Sequence, residues 1–214
     1  MPGFVAYRAC AWTSPFWQDP SPQEGRFNRP GEAPTTYLGL HPLTPWAELL
    51  RATDRRTLDE VRHLRPVTWA ARVIVDDTDL VELTFDNCDA YGLVPEDLVG
   101  EKYGATQALA SSLRANPANP KAILAPSAAL PGTRSLILLG PRIIAPYDLE
   151  PNYDPDLDTS VAATAALGSS LAGLVASVYY KHTATVHPGL DAWNNGDEYE
   201  FTEPAVTGDE FAIA

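Results

Sequence analysis

Short apolar stretches, interrupted at intervals by proline and glycine, constrain the fold of this chain more than any other feature of its sequence. Val5 and Tyr7 alternate with Ala6 and Arg8, a pattern typical of a strand with one face turned towards a core. A Pro-Gly pair at 131–132 separates two later stretches as a turn would. The strands predicted in this way are Phe4–Trp12, Thr35–Leu40, Val67–Val75, Asp79–Phe85, Ala122–Pro126 and Ser135–Ile144.

Helices are predicted between these strands, without regular strand–helix alternation. Thr44 and Pro45 have the residue types of an N-cap and a first helical position. Thr57 and Glu60 have the spacing of a capping box. The predicted helical segments are one from Thr44, then Thr57–Leu64, Pro95–Val99 and Glu101–Ala115. Because strands outnumber helices and no βαβ repeat is visible, residues 4–147 are predicted to form one α+β domain with a strand-rich core.

The last third of the chain has a different composition. Residues 148–158 are acidic and proline-rich, which indicates a linker. Residues 159–182 are free of charge as far as Tyr180, and their leucines recur at helical spacing. That run is long enough to span a bilayer, but Ala, Ser, Thr and Gly dominate it. We therefore expect a helix packed against the domain or a partner rather than a membrane anchor. The acidic residues 183–214 are predicted to be a loosely held tail.

The charge balance excludes some classes of partner. A net charge of −13 argues against direct nucleic-acid binding, which requires a basic face. The acidity is uneven, because residues 148–214 contain many carboxylates and one basic residue, Lys181. The first 147 residues are nearly neutral, so arginines there can still bind an anionic ligand.

Most familiar site signatures are absent from the sequence. It contains no lysine-ended phosphate loop, no G-x-G-x-x-G and no G-x-S-x-G. The four histidines lack metal-ligand spacing, so we expect no metal. Cys10 and Cys88 do not make a disulfide framework and are expected to be small apolar residues. The start of the chain does not resemble a signal peptide, which favours the cytoplasm.

Candidate ligand-binding side chains are concentrated in the first 50 residues. Arg8 lies among apolar neighbours in a predicted strand, where a charge is costly unless it has a partner or a ligand. Arg26 and Asn28 share a glycine-rich loop, Tyr37 lies on the next strand, and Glu48 is expected in the first turn of the next helix. Taken singly, each has an ordinary structural interpretation: an internal ion pair, an exposed loop, a core aromatic and a helix-end carboxylate.

Taken in order, these residues resemble the RES-domain toxins, the enzymatic members of bacterial toxin–antitoxin pairs. The most specific piece is the loop Gly25–Gly31, and Ser127 corresponds to the serine in the family's name. The sequence departs from the family pattern at Glu24, where a second glycine is common, and at Thr106, where some members have a serine. The serine role is therefore open between Ser127 and Thr106. The matching pieces are Tyr7-Arg8, Gly25–Gly31, Thr36–Leu38, Glu48, Val75–Thr84 and Ala122–Ala129.

The resemblance implies a fold akin to ADP-ribosyltransferases and cleavage of the nicotinamide–ribose bond of NAD+. Paired guanidinium groups suit a pyrophosphate, and a carboxylate below the ribose stabilises the positive charge that develops there. The residues implied as catalytic are Arg8, Tyr37 and Glu48. Those implied to bind NAD+ are Arg8, Arg26, Asn28, Tyr37 and Ser127.

The resemblance leaves the acceptor open between water, phosphate and a protein side chain. NAD+ degradation ranks ahead of protein ADP-ribosylation, because the sequence has no recognisable element for docking a protein substrate. The resemblance also implies a helix-turn-helix antitoxin that covers the pocket.

A second hypothesis is a catalytically silent interaction module that binds a partner, or a second copy of the chain, through residues 159–180. Deletion of residues 148–214 separates the two hypotheses: an enzyme is expected to keep some activity, and a module is expected to lose its binding.

Overall fold

The computed structural model of the chain describes residues 3–10, 24–61, 64, 67–140, 159–164 and 171–204. Within these residues, seven strands form one mixed sheet. The strands are β1 (Gly3–Cys10), β2 (Thr35–Gly39), β3 (Val67–Ile74), β4 (Leu80–Glu82), β5 (Ala122–Pro126), β6 (Arg134–Leu139) and β7 (Thr159–Thr164). Their order across the sheet is β4-β5-β6-β2-β1-β3-β7, with β4 and β5 parallel and the other neighbours antiparallel.

Helices lie between and after these strands. They are α1 (Thr44–Thr53), α2 (Leu58–Val61), α3 (Pro95–Val99), α4 (Gly104–Arg114), α5 (Leu171–Ser177) and α6 (Pro188–Asn194). The predicted α+β class, with a strand-rich core and few helices, is confirmed. Its likeness to ADP-ribosyltransferases stays a prediction.

The two halves of the sheet meet between β1 and β2. Strand β1 pairs with β3 along its whole length, from Gly3 opposite Ile74 to Cys10 opposite Val67. Its register with β2 is a single pair, Tyr7 opposite Gly39. The sheet is therefore least continuous at this junction.

Alternating side chains in the central strands build a core on each face of the sheet. Ile123 of β5 and Ile137 of β6 lie in one cluster, together with Leu98 of α3 and Leu190 of α6. Their sequence neighbours, including Leu136, belong to a second cluster on the opposite face. This two-residue period is the one expected of strands that are buried on both faces.

Most predicted elements are present, with local corrections. The predicted helix Glu101–Ala115 begins later, at Gly104. The predicted strand Asp79–Phe85 is shortened to Leu80–Glu82, since a 3-10 turn occupies Asp77–Asp79 and another turn begins at Phe85. Thr44 is not an N-cap. The cap position is Leu43, and the Thr44 hydroxyl donates instead to Oγ1 of Thr133 at 3.0 Å.

The prediction of one helix over residues 159–182 is wrong. Strand β7 occupies Thr159–Thr164 and pairs with β3, and α5 is confined to Leu171–Ser177. Thr and Val suit a strand, and pairing satisfies the backbone groups of β3 that an edge would leave open. Among the helices that the structure describes, none is long and apolar enough to cross a membrane. The predicted linker 148–158 lies outside the described residues.

Residues 183–204 are not a loose tail, so that prediction is also wrong. Helix α6 buries Leu190 in the core, and Nε1 of Trp193 donates to Asp86 Oδ1 at 2.8 Å. Leu174 and Val178 pack with Leu50 of α1. The described residues beyond 147 therefore share the sheet and core of the predicted domain, and residues 205–214 lie outside the description.

Candidate active site

A pocket of about 380 Å³ opens at the junction of β1 and β2, beside α1. This volume is at the lower end of the range that is usual for small-molecule sites. The described residues that line it include four of the predicted site residues, namely Arg8, Arg26, Tyr37 and Glu48. The fold therefore brings these four side chains to one pocket from a strand, a loop, a second strand and a helix.

The pocket is more basic than the chain as a whole. Among the lining residues that the structure describes, four are basic and two are acidic, in a chain of net charge −13. Such a local excess favours an anionic ligand. The basic residues are Arg8, Arg26, Arg51 and Lys181, and the acidic ones are Glu24 and Glu48.

Helix α1 approaches the sheet closely enough to present its side chains to the pocket. A Cβ atom at Gly39 would lie 2.5 Å from Cβ of Thr44 and 2.9 Å from Cδ of Pro45, so only glycine permits this contact. Glu48 and Arg51 are three residues apart on α1 and both line the pocket. Glu48 lies beyond the first helical turn, which corrects the predicted position, so the helix end does not account for this carboxylate.

Glu48 is held by a residue that does not line the pocket. Ser127 is 1% exposed, and its hydroxyl donates to Glu48 Oε1 at 3.2 Å. The Ser127 hydroxyl oxygen itself accepts from the backbone N–H groups of Leu130 at 3.1 Å and Ala129 at 3.3 Å. Ser127 thus satisfies backbone groups after β5 and contacts Glu48, and it is not among the described residues that line the pocket.

Arg26 lines the pocket with much of its guanidinium already engaged. Nη1 donates to the carbonyl of Asp97 at 2.7 Å, and Nη2 donates to the carbonyl of Gly100 at 2.5 Å, at the end of α3. Its Cζ lies 4.9 Å from the centre of the Tyr103 ring. Burial lowers the pKa of Arg26, and the nearby Tyr103 and Glu48 act in the opposite direction. These contacts hold the Arg26 guanidinium in position beside the pocket.

Tyr37 and Asn28 secure the loop that contains Arg26. The Tyr37 hydroxyl donates to Asn28 Oδ1 at 2.7 Å and accepts from the backbone N–H of Phe27 at 2.9 Å. Asn28 is buried and is not among the described residues that line the pocket, and its side chain contacts the Tyr37 hydroxyl. Burial raises the pKa of Tyr37, so its ring faces the pocket as a neutral phenol.

Helix α4 supports the same loop from behind. The Thr106 hydroxyl donates to the carbonyl of Arg26 at 2.7 Å, and Nε2 of Gln107 contacts the carbonyl of Gly25 at 3.0 Å. Thr106 is fully buried, so it positions the Arg26 backbone and does not reach the pocket. Of the two candidates for the serine role, Ser127 is the one in contact with Glu48.

Arg8 contributes a half-buried charge from β1. It lines the pocket, and burial lowers its pKa, with Cys10 acting in the opposite direction. Cys88 is also buried, and burial raises the pKa of its thiol, as expected of a core residue. Among the described residues, no cluster of three His, Cys, Asp or Glu side chains is arranged to hold a metal ion.

Among the lining residues that the sequence prediction missed are Arg51, Tyr103 and Lys181. Arg51 follows Glu48 by three positions, a spacing that places both on one face of a helix and could have identified it. Lys181 is the single basic residue of the acidic last third, which is also a signal. Tyr103 carried no sequence signal, because only the fold brings its ring to Arg26.

Comparisons with known proteins match this chain to one family. The model of the RES domain matches residues 5–160. A protein of Mycobacterium tuberculosis named "Probable NAD(+) phosphorylase Rv3189" is 32% identical over 139 residues, covering 64% of this chain and 61% of the relative. The chain thus spans about three fifths of the length of that curated relative.

A solved structure shares the fold. The crystal structure of the M. tuberculosis MbcT-MbcA toxin-antitoxin complex contains a chain that superposes with a TM-score of 0.55. The two chains are 20% identical, and the match covers 76% of this chain and 84% of the other. At this identity the likeness supports the fold alone.

Proposed function

Because the chain belongs to the RES-domain family, we propose that it consumes NAD+ by breaking the bond between nicotinamide and ribose. The observation that carries this proposal is the position of Glu48, a carboxylate that Ser127 orients at the wall of a pocket rich in guanidinium groups. NAD+ offers both complements: a diphosphate for the cations, and a ribose that becomes positive as nicotinamide leaves.

The glycosidic bond breaks with its electron pair moving to the nicotinamide nitrogen, which leaves as a neutral pyridine. Positive charge then develops on the ribose, and Glu48 stabilises it electrostatically. An oxygen of the acceptor bonds to the anomeric carbon. With phosphate as acceptor the product is ADP-ribose phosphorylated at that carbon. With water it is ADP-ribose, and a proton is released.

The other pocket residues bind and position the substrate. Arg8 and Arg26 place positive charge where the diphosphate is expected, although the fork of Arg26 is already anchored to two carbonyls. The ring of Tyr37 offers a flat wall for nicotinamide. Asn28 and Ser127 act through the loop and through Glu48.

Phosphate is the favoured acceptor, because the M. tuberculosis relative is named as an NAD(+) phosphorylase. An antitoxin partner that covers the pocket follows from the resemblance and is consistent with the toxin-antitoxin complex that shares the fold. We expect that partner to contain a helix-turn-helix, and to abolish NAD+ consumption when it is copurified with this chain.

The direct test is to incubate the purified chain with NAD+, with and without inorganic phosphate, and to identify the products by mass spectrometry. We expect nicotinamide together with the phosphorylated ADP-ribose when phosphate is present. Free ADP-ribose in both conditions would indicate hydrolysis. ADP-ribose attached to a protein would indicate a transferase. Intact NAD+ in every condition would contradict the proposal.

A further inference from the structure

The pocket contains a basic residue whose hydrogen-bonding capacity is not filled. Arg51 is 3% exposed and lines the pocket, and its Nη1 donates to the carbonyl of Tyr179. Among the described residues, Nη2 of Arg51 is buried and has no hydrogen-bond partner. A buried charged donor without an acceptor is unfavourable, so such groups usually mark a place where a ligand, ion or water belongs.

The neighbours of Arg51 increase that cost. Arg26 lies near enough for the positive charge of Arg51 to lower its pKa further. The same two arginines add to the effect of burial in lowering the pKa of His187. Positive charges that face one another around a pocket repel, and an anion placed between them removes that repulsion.

Lys181, which follows α5, adds another positive charge to the pocket. It lines the pocket, and its Nζ lies 5.7 Å from the centre of the Tyr103 ring, which also contacts Arg26. The Lys181 carbonyl accepts from Nη2 of Arg56 at 2.7 Å, which ties this segment to the loop after α1. Tyr179, which anchors Arg51, precedes Lys181 by two residues.

We infer that Arg51 and Lys181 form a phosphate-binding subsite of the pocket, assembled by the segment Leu171–Pro204 that follows the RES-domain match. The subsite rests on the proposed function for its role in turnover. Its ligand is a phosphoryl group, supplied either by the diphosphate of NAD+ or by inorganic phosphate as acceptor. Arg51, at the pocket wall, supplies a buried donor that lacks a partner among the described residues, and Lys181 supplies a second positive charge.

Deletion of residues 148–214, which is expected to leave an enzyme with some activity, would also remove Lys181 and the carbonyl that anchors Arg51. The family match ends at residue 160, whereas Lys181 lines the pocket and the Tyr179 carbonyl anchors Arg51. The segment 171–204 therefore supplies one residue that lines the pocket and the anchor of another.

The test compares Lys181→Met and Arg51→Lys with a matched control, Lys121→Met, in the full chain. Lys121 pairs with Asp79 at 3.8 Å and is not among the lining residues, so its variant removes one positive charge away from the pocket. Initial rates are measured against NAD+ at saturating phosphate, and against phosphate at saturating NAD+. We expect KM for one of the two substrates to rise about tenfold in the pocket variants, the loss of one charge-assisted contact.

The substrate whose KM rises identifies the source of the phosphoryl group. Binding of inorganic phosphate and inorganic pyrophosphate is also measured by calorimetry, which requires no turnover. If the wild type binds either anion and the pocket variants do not, the subsite stands even if NAD+ is never consumed. If both pocket variants match Lys121→Met in KM and in anion binding, the inference is overturned. Lys181→Met keeps the test decisive if Arg51→Lys fails to fold.

Discussion

At the scale of single residues, the orientation of Glu48 depends on a hydroxyl outside the pocket. Ser127 donates to Glu48 while it accepts from the backbone N–H groups of Ala129 and Leu130. The Ser127 hydroxyl therefore forms hydrogen bonds with both the Glu48 carboxylate and the backbone after β5. This coupling explains how a serine can matter to a reaction without touching the substrate.

Replacing Ser127 with alanine is expected to lower kcat for NAD+ consumption by about tenfold and to leave KM for NAD+ nearly unchanged. It also leaves two backbone donors short of an acceptor, so the free energy of unfolding should fall by about 1 to 3 kcal/mol. Ser112→Ala, at an exposed position of α4, is the control. A rise in KM with unchanged kcat would instead assign Ser127 to substrate binding.

His187 is another buried residue, and its protonation is coupled to folding. Burial lowers its pKa to about 4, against a weaker opposing effect of the Ser127 carbonyl, and Arg51 and Arg26 add to the lowering. Its Nδ1 accepts from the backbone N–H of Leu190 at 3.4 Å, so it caps α6 in the neutral form. The unfolded chain therefore binds a proton here at a higher pH than the folded chain does.

Stability should consequently fall as the pH is lowered through the window from 6.5 to 4, because protonation favours the unfolded chain. For this one group the expected loss between pH 7 and pH 5 is about 2 kcal/mol. Denaturant unfolding of the wild type and of His187→Asn at both pH values checks this. Asparagine preserves a cap acceptor without titrating. An equal pH dependence in the two proteins would contradict the assignment.

The sequence predicted the pocket residues that belong to a recognisable order, and missed those that the fold alone brings in. Arg8, Arg26, Tyr37 and Glu48 were identified together and do line one pocket. Asn28 and Ser127 were predicted to bind the ligand, but both are buried and neither is among the described residues that line the pocket, since residue type alone does not reveal which way a side chain is directed.

At the scale of elements, the loop before β2 is shaped by helix α4. Thr106, Gln107 and Arg114 of this helix contact backbone carbonyls in the loop. A Cβ at Gly25 would lie 2.7 Å from the Tyr37 hydroxyl, so the loop also packs tightly on β2. The position of Arg26 thus depends on contacts some 80 residues away in sequence.

The role of the Thr106 hydroxyl can be tested by two substitutions, one that removes the hydroxyl and one that keeps it. Thr106→Val removes the donor to the Arg26 carbonyl and should lower the free energy of unfolding by about 1 kcal/mol. It should also raise KM for NAD+, because Arg26 shifts. Thr106→Ser retains the hydroxyl and should stay close to the wild type in both measurements. If the two variants behave alike, the hydroxyl does not position the loop.

Local signals predicted elements well where short-range contacts decide the structure. The Thr57–Glu60 capping box forms as expected, with the Thr57 N–H donating to Glu60 Oε2 at 3.0 Å. The prediction of a helix over 159–182 was wrong because residues 159–164 pair with β3. This contact spans about 90 residues of sequence, and the spacing of apolar residues within one segment carries no information about it.

At the scale of the whole molecule, residues 171–204 contribute to both the core and the pocket. Leu174 is fully buried against α1, and Tyr180 donates through its hydroxyl to the Arg55 carbonyl at 2.5 Å. The basis for a separate interaction module at residues 159–180 is therefore weakened, since the described part of that stretch is used inside the fold.

Leu174→Ala should lower the free energy of unfolding by about 2 to 5 kcal/mol, as is usual for a buried leucine. Val186→Ala, at a side chain that is 52% exposed, should change it by less than about 0.5 kcal/mol. Denaturant unfolding measures both. A neutral Leu174→Ala variant would restore the interpretation of this region as an appendage.

The central claim is that Glu48 drives cleavage of NAD+, and the most direct measurement is the rate of nicotinamide release by wild type, Glu48→Gln and the exposed control Glu96→Gln. Glutamine keeps the size and an acceptor for Ser127 but removes the charge. The account predicts a rate at least about 100-fold lower for Glu48→Gln, with an unchanged melting temperature and a normal rate for Glu96→Gln. A folded Glu48→Gln protein that releases nicotinamide as fast as the wild type would contradict it.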